Sequence, residues 1–334
     1  MPGPLDELAD RSNKEPAQPP LDVDPERVER STFWFVLLLV GLTLGCILLL
    51  LGAGDYGSSL FLALPFTLGL LIGFTGYPRY SYWRFHLWAN GICLAVTLFT
   101  WLTGFEGAIC IIMAYVIVLL PLTLGLFLGT AIWRIRLRNK LPMLLMLCAV
   151  NPVTYVSERI HPPLYVHEVV TALEVAAPVQ RVWSVLTGPV AFGTSDHFLL
   201  RSGVTYPLDM RLDRSGDGPC LACHLNNLDT RLRVVALDSL RSMAFEPIEQ
   251  PIPMREVSFI GELDAPHLHG YFGIGRGEFR LERIDEGHTR IIASTSYHHR
   301  IAPAFYWRWW SDHLIDAMHR NVLRGVAAKA EGGS

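Results

Sequence analysis

At 334 residues, 51% hydrophobic, only 18% charged and with a mean hydropathy of +0.30, the chain is too apolar for an ordinary soluble enzyme of its length. A formal net charge of −3 without a basic bias excludes nucleic acid as the expected partner. Six cysteines without a short, regularly spaced set exclude a disulfide framework.

Residues 1–31 are polar, acidic and proline-containing, and read as a disordered tail rather than a cleaved signal peptide. From Thr32 to Trp133 the charged residues are Asp55, Arg79, Arg84 and Glu106 alone. Four apolar stretches, Thr32 to Ala53, Leu60 to Gly76, Phe85 to Leu102 and Ala108 to Trp133, approach or exceed the roughly 17 to 25 residues that cross a bilayer as a helix. Residues 32–133 are therefore expected to form an all-α bundle of four transmembrane helices.

Lys and Arg fall before the first stretch, between the second and third, and after the fourth, where Arg134, Arg136, Arg138 and Lys140 cluster. The positive-inside rule then places both the N-terminus and this cluster in the cytoplasm. Glu106, in Gly104-Phe-Glu-Gly107, reads as a carboxylate at the outer interface. Leu141 to Val156 carries Pro142 and Pro152 and reads as a helix lying in the cytoplasmic interface, so residues 134–165 are expected to be a basic, interfacial linker; the alternative, a fifth span, would move the whole C-terminal domain outside. The soluble domain is then expected in the cytoplasm, tethered to a bacterial inner membrane.

From Val166 the apolar period becomes two. Val169, Thr171, Leu173 and Val175 share one face of a strand, and Pro178 opens a short helix over Val179 to Leu186. After a Gly-, Pro- and Ser-rich loop, strands are expected over Cys220 to Asn226, Leu228 to Leu237, Ser242 to Glu246, Arg255 to Ile260, Gly277 to Ile284 and Thr289 to His299. A helix from Pro303 to about Lys329 carries Trp307, Trp310, Leu314, Met318 and Val322 at three- and four-residue spacing. Residues 166–330 thus predict an α+β domain in which a curved antiparallel sheet wraps one long helix and encloses apolar volume.

Leu173-Glu-Val-Ala-Ala-Pro-Val-Gln-Arg-Val-Trp-Ser-Val-Leu186 resembles the opening strand and helix of the SRPBCC superfamily, the helix-grip domains that include START and polyketide cyclase/dehydrase-like proteins. Pro253-Met-Arg-Glu256, His267-Leu-His-Gly-Tyr-Phe272, Gly277-Glu-Phe-Arg-Leu281 and Tyr306-Trp-Arg-Trp-Trp310 resemble a membrane-anchored bacterial subgroup, as does Gly104-Phe-Glu-Gly-Ala-Ile-Cys110. The resemblance implies a cavity for a lipid or other hydrophobic small molecule. A membrane-tethered binding or carrier protein is the leading expectation, a cyclase/dehydratase-like enzyme the alternative, and a sensor or assembly domain whose cavity is filled the third.

Tyr271, Tyr297, Trp307, Trp310 and His313 are the candidate ligand-binding residues, and Glu256 and His267 a candidate acid and base. Cys220-Leu-Ala-Cys223-His224 has the spacing of a c-type haem attachment site. Strand alternation sets Leu221, Cys223 and Leu225 on one face and Cys220 and His224 on the other, and the expected cytoplasmic location also opposes haem. No cofactor and no metal site are expected, a zinc site lacking a second ligand pair.

Overall fold

The computed structural model describes residues 25–76, 82–104, 107–134, 141–160, 165–215, 218–264 and 268–332. The apolar half holds α1 (Pro25–Ala53), a π-helical turn (Ser59–Ala63) running into α2 (Leu64–Gly76), α3 (Tyr82–Leu102) and α4 (Ala108–Arg134). Gly54, at φ 68°, ends α1 in the left-handed conformation that glycine adopts freely. Three described segments are long and apolar enough to cross a bilayer: Phe33–Ala53, Ala108–Arg134 and Leu141–Ile160; Ser59–Thr75 and His86–Leu102 are shorter.

Helices α2 and α4 meet backbone to backbone. Gly69 and Gly73 on one face Gly125 and Gly129 on the other, and a Cβ at any of the four would collide with main chain of the facing helix. Such small-xxx-small stripes let helices approach closely where no hydrophobic force distinguishes a neighbouring helix from lipid.

Helices α5 (Leu141–Cys148) and α6 (Val150–Ile160) form the segment that follows the basic cluster. They continue one another along the side of the bundle. At one end Leu144 is fully buried with Leu70, Phe74 and Ile132. Midway, Asn151 bonds the Thr67 hydroxyl, and at the far end Glu158 accepts the Ser58 amide at 2.7 Å and Arg159 pairs with Asp55 at 2.5 Å. Pro142 and Pro152 fall in the first turns of their helices, where the missing N–H has no intrahelical partner to lose. Twenty helical residues rise about 30 Å, the thickness of a hydrocarbon core.

The second half carries β1 (Tyr165–Val175), α7 (Val179–Leu186), β2 (Val190–Ala191), α8 (Phe198–Arg201), β3 (Pro207–Asp213), β4 (Cys220–Leu225), β5 (Asp229–Asp238), β6 (Ser242–Pro247), β7 (Glu256–Ser258), β8 (Gly261–Leu263), β9 (Phe272–Arg283), β10 (Thr289–His299) and α9 (Ala304–Ala330). Eight strands form one antiparallel sheet in the order β1-β10-β9-β6-β5-β4-β3-β2, and β7 and β8 form a separate hairpin. The sheet curls around α9, as the helix-grip expectation requires.

Two differences from the sequence reading are local. Pro207–Asp213, read as loop, is β3, paired with β4 from Pro207–Leu225 to Asp213–Cys220. The strand expected over Arg255 to Ile260 shortens to β7, because Gly261, at φ 122°, turns the chain straight back into β8.

The domain core joins β1, α7 and the sheet to the C-terminal half of α9 through Val182, Leu186, Leu221, Met243, Ile291, Leu323 and Val326. A second core joins the domain to the bundle. Tyr56, Phe61, Ile109, Met113 and Ile117 are buried with Leu200, Val204, Tyr206 and Trp307. The Tyr306 hydroxyl donates to the Met113 carbonyl, the Tyr271 hydroxyl to the Gly54 carbonyl, and the Ala302 amide to the Tyr56 carbonyl at 3.0 Å. The domain thus sits on the end of the bundle that holds residues 54–58 and 103–104, opposite the end where α4 finishes at Arg134.

Candidate functional site

Between the sheet and the N-terminal half of α9 lies a cavity of about 230 Å³. It exists because α9 is gripped tightly only in its C-terminal half. Nearer its start, Trp310, Leu314 and Met318 stand off from Met210, Leu225 and Phe279 on the concave face of the sheet. Cys110 and Met113 of α4 complete the wall at the junction with the bundle. Apolar side chains dominate the lining, the composition of sites that bury a hydrophobic ligand.

The polar groups of the wall include Glu278, Thr230 and Ser311, and the most closely networked of them is His319, 5% exposed on α9. Its Nδ1 lies 3.0 Å from the Thr171 hydroxyl and its Nε2 2.8 Å from the Thr295 hydroxyl. Thr171 also lies 2.7 Å from Asp316, whose other carboxylate oxygen accepts Arg320 Nε at 2.7 Å. A carboxylate accepts only, so the one proton of Thr171 goes to Asp316. His319 Nδ1–H must then donate to Thr171, and Nε2 accepts from Thr295. Burial drives the imidazole pKa down to about 4, which holds the ring neutral. Both ring nitrogens are committed, so His319 ties β1 and β10 to α9 and has no nitrogen to offer a ligand.

His299 also borders the cavity, 1% exposed, with Nδ1 3.2 Å from the Ile301 carbonyl. Burial, and then the neighbouring His167, push its pKa down to about 4. Neither His299 nor His319 belongs to the candidate set read from the sequence. Thr171 and Thr295 lie on adjacent strands, where Thr171 pairs with Ala293 and Val169 with Thr295, but only packing against α9 brings His319 to both.

Of the candidate ligand residues, Trp307 and Trp310 line the cavity. The other three do not. Tyr297 is 1% exposed and faces α9 beside Val169 and Ile315, its hydroxyl donating to Asp312 at 2.5 Å. Burial and that carboxylate raise its pKa. Tyr271 packs edge-on against Tyr56 at 5.5 Å, at the junction with the bundle. His313 points away from the cavity, stacked with Trp309 and near His197. Each step from Trp307 to Trp310 and on to His313 shifts the direction by about 60° around α9, so His313 lies about 120° from Trp307 and is carried off the cavity side.

Glu256 is fully buried on β7 but is not part of the cavity wall. Its carboxylate lies against Gly107, where a Cβ would overlap it, at the N-terminal end of α4. A helix N-terminus favours a carboxylate there, which makes Glu256 part of the seat of the domain on the bundle. His267 lies outside the described residues.

Cys223 is buried in the cavity wall beside Leu221 and Leu225, and burial pushes its thiol up to about 12. His224 faces solvent and bonds Asp229 at 2.5 Å. The two cysteines therefore point to opposite faces of β4, whereas a c-type haem needs both thiols and the histidine at one group. Among the described residues no group of three or more His, Cys, Asp and Glu side chains could hold a metal ion.

No protein-family model and no curated protein matches the chain. Solved structures that do match include a norcoclaurine synthase point mutant from Thalictrum flavum, at 15% identity over 50% of this chain and 96% of that one with a TM-score of 0.32. An aromatase/cyclase from Streptomyces matches at 18% identity over 50% and 94%, with a TM-score of 0.31. A protein from Nitrosospira multiformis matches at 18% identity over 50% and 97%, also with a TM-score of 0.31. Likenesses of this size say nothing about chemistry, and the sheet order and helix described above stand on their own.

Proposed function

We propose that the chain is a membrane-embedded binding or carrier protein for a lipid or other hydrophobic small molecule held between the curved sheet and α9. The observation that carries this reading is the open cavity of about 230 Å³, walled by hydrocarbon and left unfilled by the Trp307 and Trp310 stripe. A sensor or assembly domain with a filled cavity lacks that support. A cyclase-like enzyme would want polar groups converging on the cavity, but Glu256 faces the bundle and His319 spends both ring nitrogens on threonines.

The same reading reverses the expected cytoplasmic location. The Lys and Arg distribution still directs residues 1–31 and 134–140 to the cytoplasm. With α5 and α6 returning along the bundle, and the domain seated on the end away from Arg134, the domain lies on the extracytoplasmic side. The topological objection to haem then falls, and the opposite-facing cysteines are what oppose it.

The test is organic extraction and mass spectrometry of full-length protein purified in mild detergent. A hydrophobic small molecule at near-stoichiometric amount is expected, and Leu314→Trp, which fills the cavity from α9, should lose it. Equal recovery from folded wild-type and Leu314→Trp protein would refute the cavity as the binding site.

A further inference from the structure

A second cavity of about 150 Å³ lies inside the bundle, bounded by Leu44, Phe61, Leu68, Val96, Ile111 and Val118 among others from α1 to α4. It offers almost nothing polar. Of its threonines, Thr97 donates to the Cys93 carbonyl at 2.7 Å and Thr100 to the Thr97 carbonyl at 2.8 Å, so both hydroxyls are spent on their own helix. Ile92 both borders this cavity and is exposed on the outer surface of α3, so the cavity reaches the face that a bilayer would cover.

The two cavities share three wall residues: Cys110, Ile301 and Trp307. Trp307 is 7% exposed, its ring 5.1 Å from Phe61 on the bundle side, and its Nε1–H donates to the Ala302 carbonyl at 3.3 Å. One indole, held by its own turn of chain, is thus common wall to a space inside the bundle and a space inside the domain. Apolar side chains dominate both walls, and His319, the best-networked polar group of the domain cavity, is committed to two threonines, so both spaces suit methylenes.

We propose that the bundle cavity is a second, unassigned binding site for the hydrocarbon chain of a bilayer lipid, and that the chain reaches the domain cavity through it, past Trp307. The proposal rests on the reading of the domain cavity as a hydrophobic binding site and adds the route by which it fills. Ligand enters sideways from the bilayer at Ile92 rather than from water. The occupant is a chain-bearing lipid, because a compact apolar molecule would gain nothing from two spaces that meet at one shared wall.

The experiment uses the full chain in phosphatidylcholine vesicles containing a phosphatidylcholine with a diazirine on one acyl chain. After irradiation, labelled peptides are located by mass spectrometry. Label is expected both in Ile111 to Val118 and in Leu221 to Leu225. Val96→Trp, which obstructs the bundle cavity, should cut label on Leu221 to Leu225 severalfold, and Ala114→Phe should do the same from α4. A water-soluble apolar fluorophore, anilinonaphthalene sulfonate, is added to the same proteins as the control for the domain cavity. Fluorophore binding that survives in Val96→Trp while lipid label disappears supports the route and confirms that the domain is folded. Undiminished lipid label on Leu221 to Leu225 in both folded variants overturns the route and leaves the binding function standing. Absence of both lipid label and fluorophore binding in wild-type protein overturns the binding function itself.

Discussion

The indole of Trp307 and the ring of Phe61 lie 5.1 Å apart between centroids and are tilted by 59°. The first lies in the opening turn of α9 and the second in the π-helical turn that runs into α2, so this aromatic contact, like that of Tyr271 with Tyr56, couples the apolar half of the chain to the more polar half. Around it Tyr56, Met113 and Tyr206 close the junction.

Trp307→Ala should therefore loosen the junction rather than one domain. Truncating a buried tryptophan typically costs about 3–5 kcal/mol. Thermal unfolding of the full chain in detergent is expected to show a lower first transition, with Trp307→Phe recovering most of the loss. An unchanged transition in Trp307→Ala would mean that the aromatic contact contributes nothing to the docking.

His319 should make the domain sensitive to acid. Its folded pKa of about 4 lies below the ordinary value of 6.5, so the folded state favours the neutral ring. The associated stability is fully present above pH 6.5 and is lost as pH falls toward 4, amounting to roughly 3 kcal/mol. His299 titrates over the same window. Denaturant titrations of His319→Gln between pH 7 and 4 are expected to show a flatter decline than wild type, and an identical slope would contradict the assignment.

The two cysteines of β4 should respond unequally. Cys223→Ser puts a hydroxyl into an apolar wall and is expected to cost about 1–3 kcal/mol, while Cys220→Ser should stay within about 0.5 kcal/mol. Because burial holds the Cys223 thiol protonated, iodoacetamide at pH 8 should modify Cys220 first. Equal effects, together with a Soret band that survives acid-acetone extraction, would instead establish covalent haem.

The soluble domain is expected outside the cytoplasm. Alkaline phosphatase fused after Ser334 should be active, and green fluorescent protein at the same position dark, in a bacterial host. The reverse pattern would place the domain inside and would require a different arrangement of α5 and α6 in the bilayer.

Much of the soluble fold is legible in local sequence. The period of two in Val169, Thr171, Leu173 and Val175, Pro178 before Val179–Leu186, and the Asp285-Glu286-Gly287 turn between two alternating runs each act over a few residues. The elements they predict, β1, α7, β9 and β10, are all present. The stripe on α9 is legible for the same reason, and it carries Trp307 and Trp310 to the cavity. β3 carries the same signal, with Leu208, Met210 and Leu212 alternating with Asp209, Arg211 and Asp213, but it lies in a Gly-, Pro- and Ser-rich stretch that reads as loop, and pairing with β4 is what marks it as a strand.

What the chain alone determines is the division into a strongly apolar half and a more polar half, and the helix or strand character of most segments, since both follow from the composition and spacing of neighbouring residues. What only the tertiary structure decides is which residues meet. Tyr271, His313 and Glu256 have the chemistry of site residues, yet the crossing of helices and strands turns them to the bundle or the surface. It brings His319 to two threonines from opposite ends of the domain sequence instead. The path of Leu141–Ile160 is decided in the same way. Its two prolines read as breaks in one dimension, but they are first-turn residues of helices whose direction is fixed by contacts of Leu144 with Leu70 at one end and Arg159 with Asp55 at the other. Contacts between residues about 75 and 104 positions apart leave no local periodicity, so the path of this segment along the bundle is a property of the packed structure.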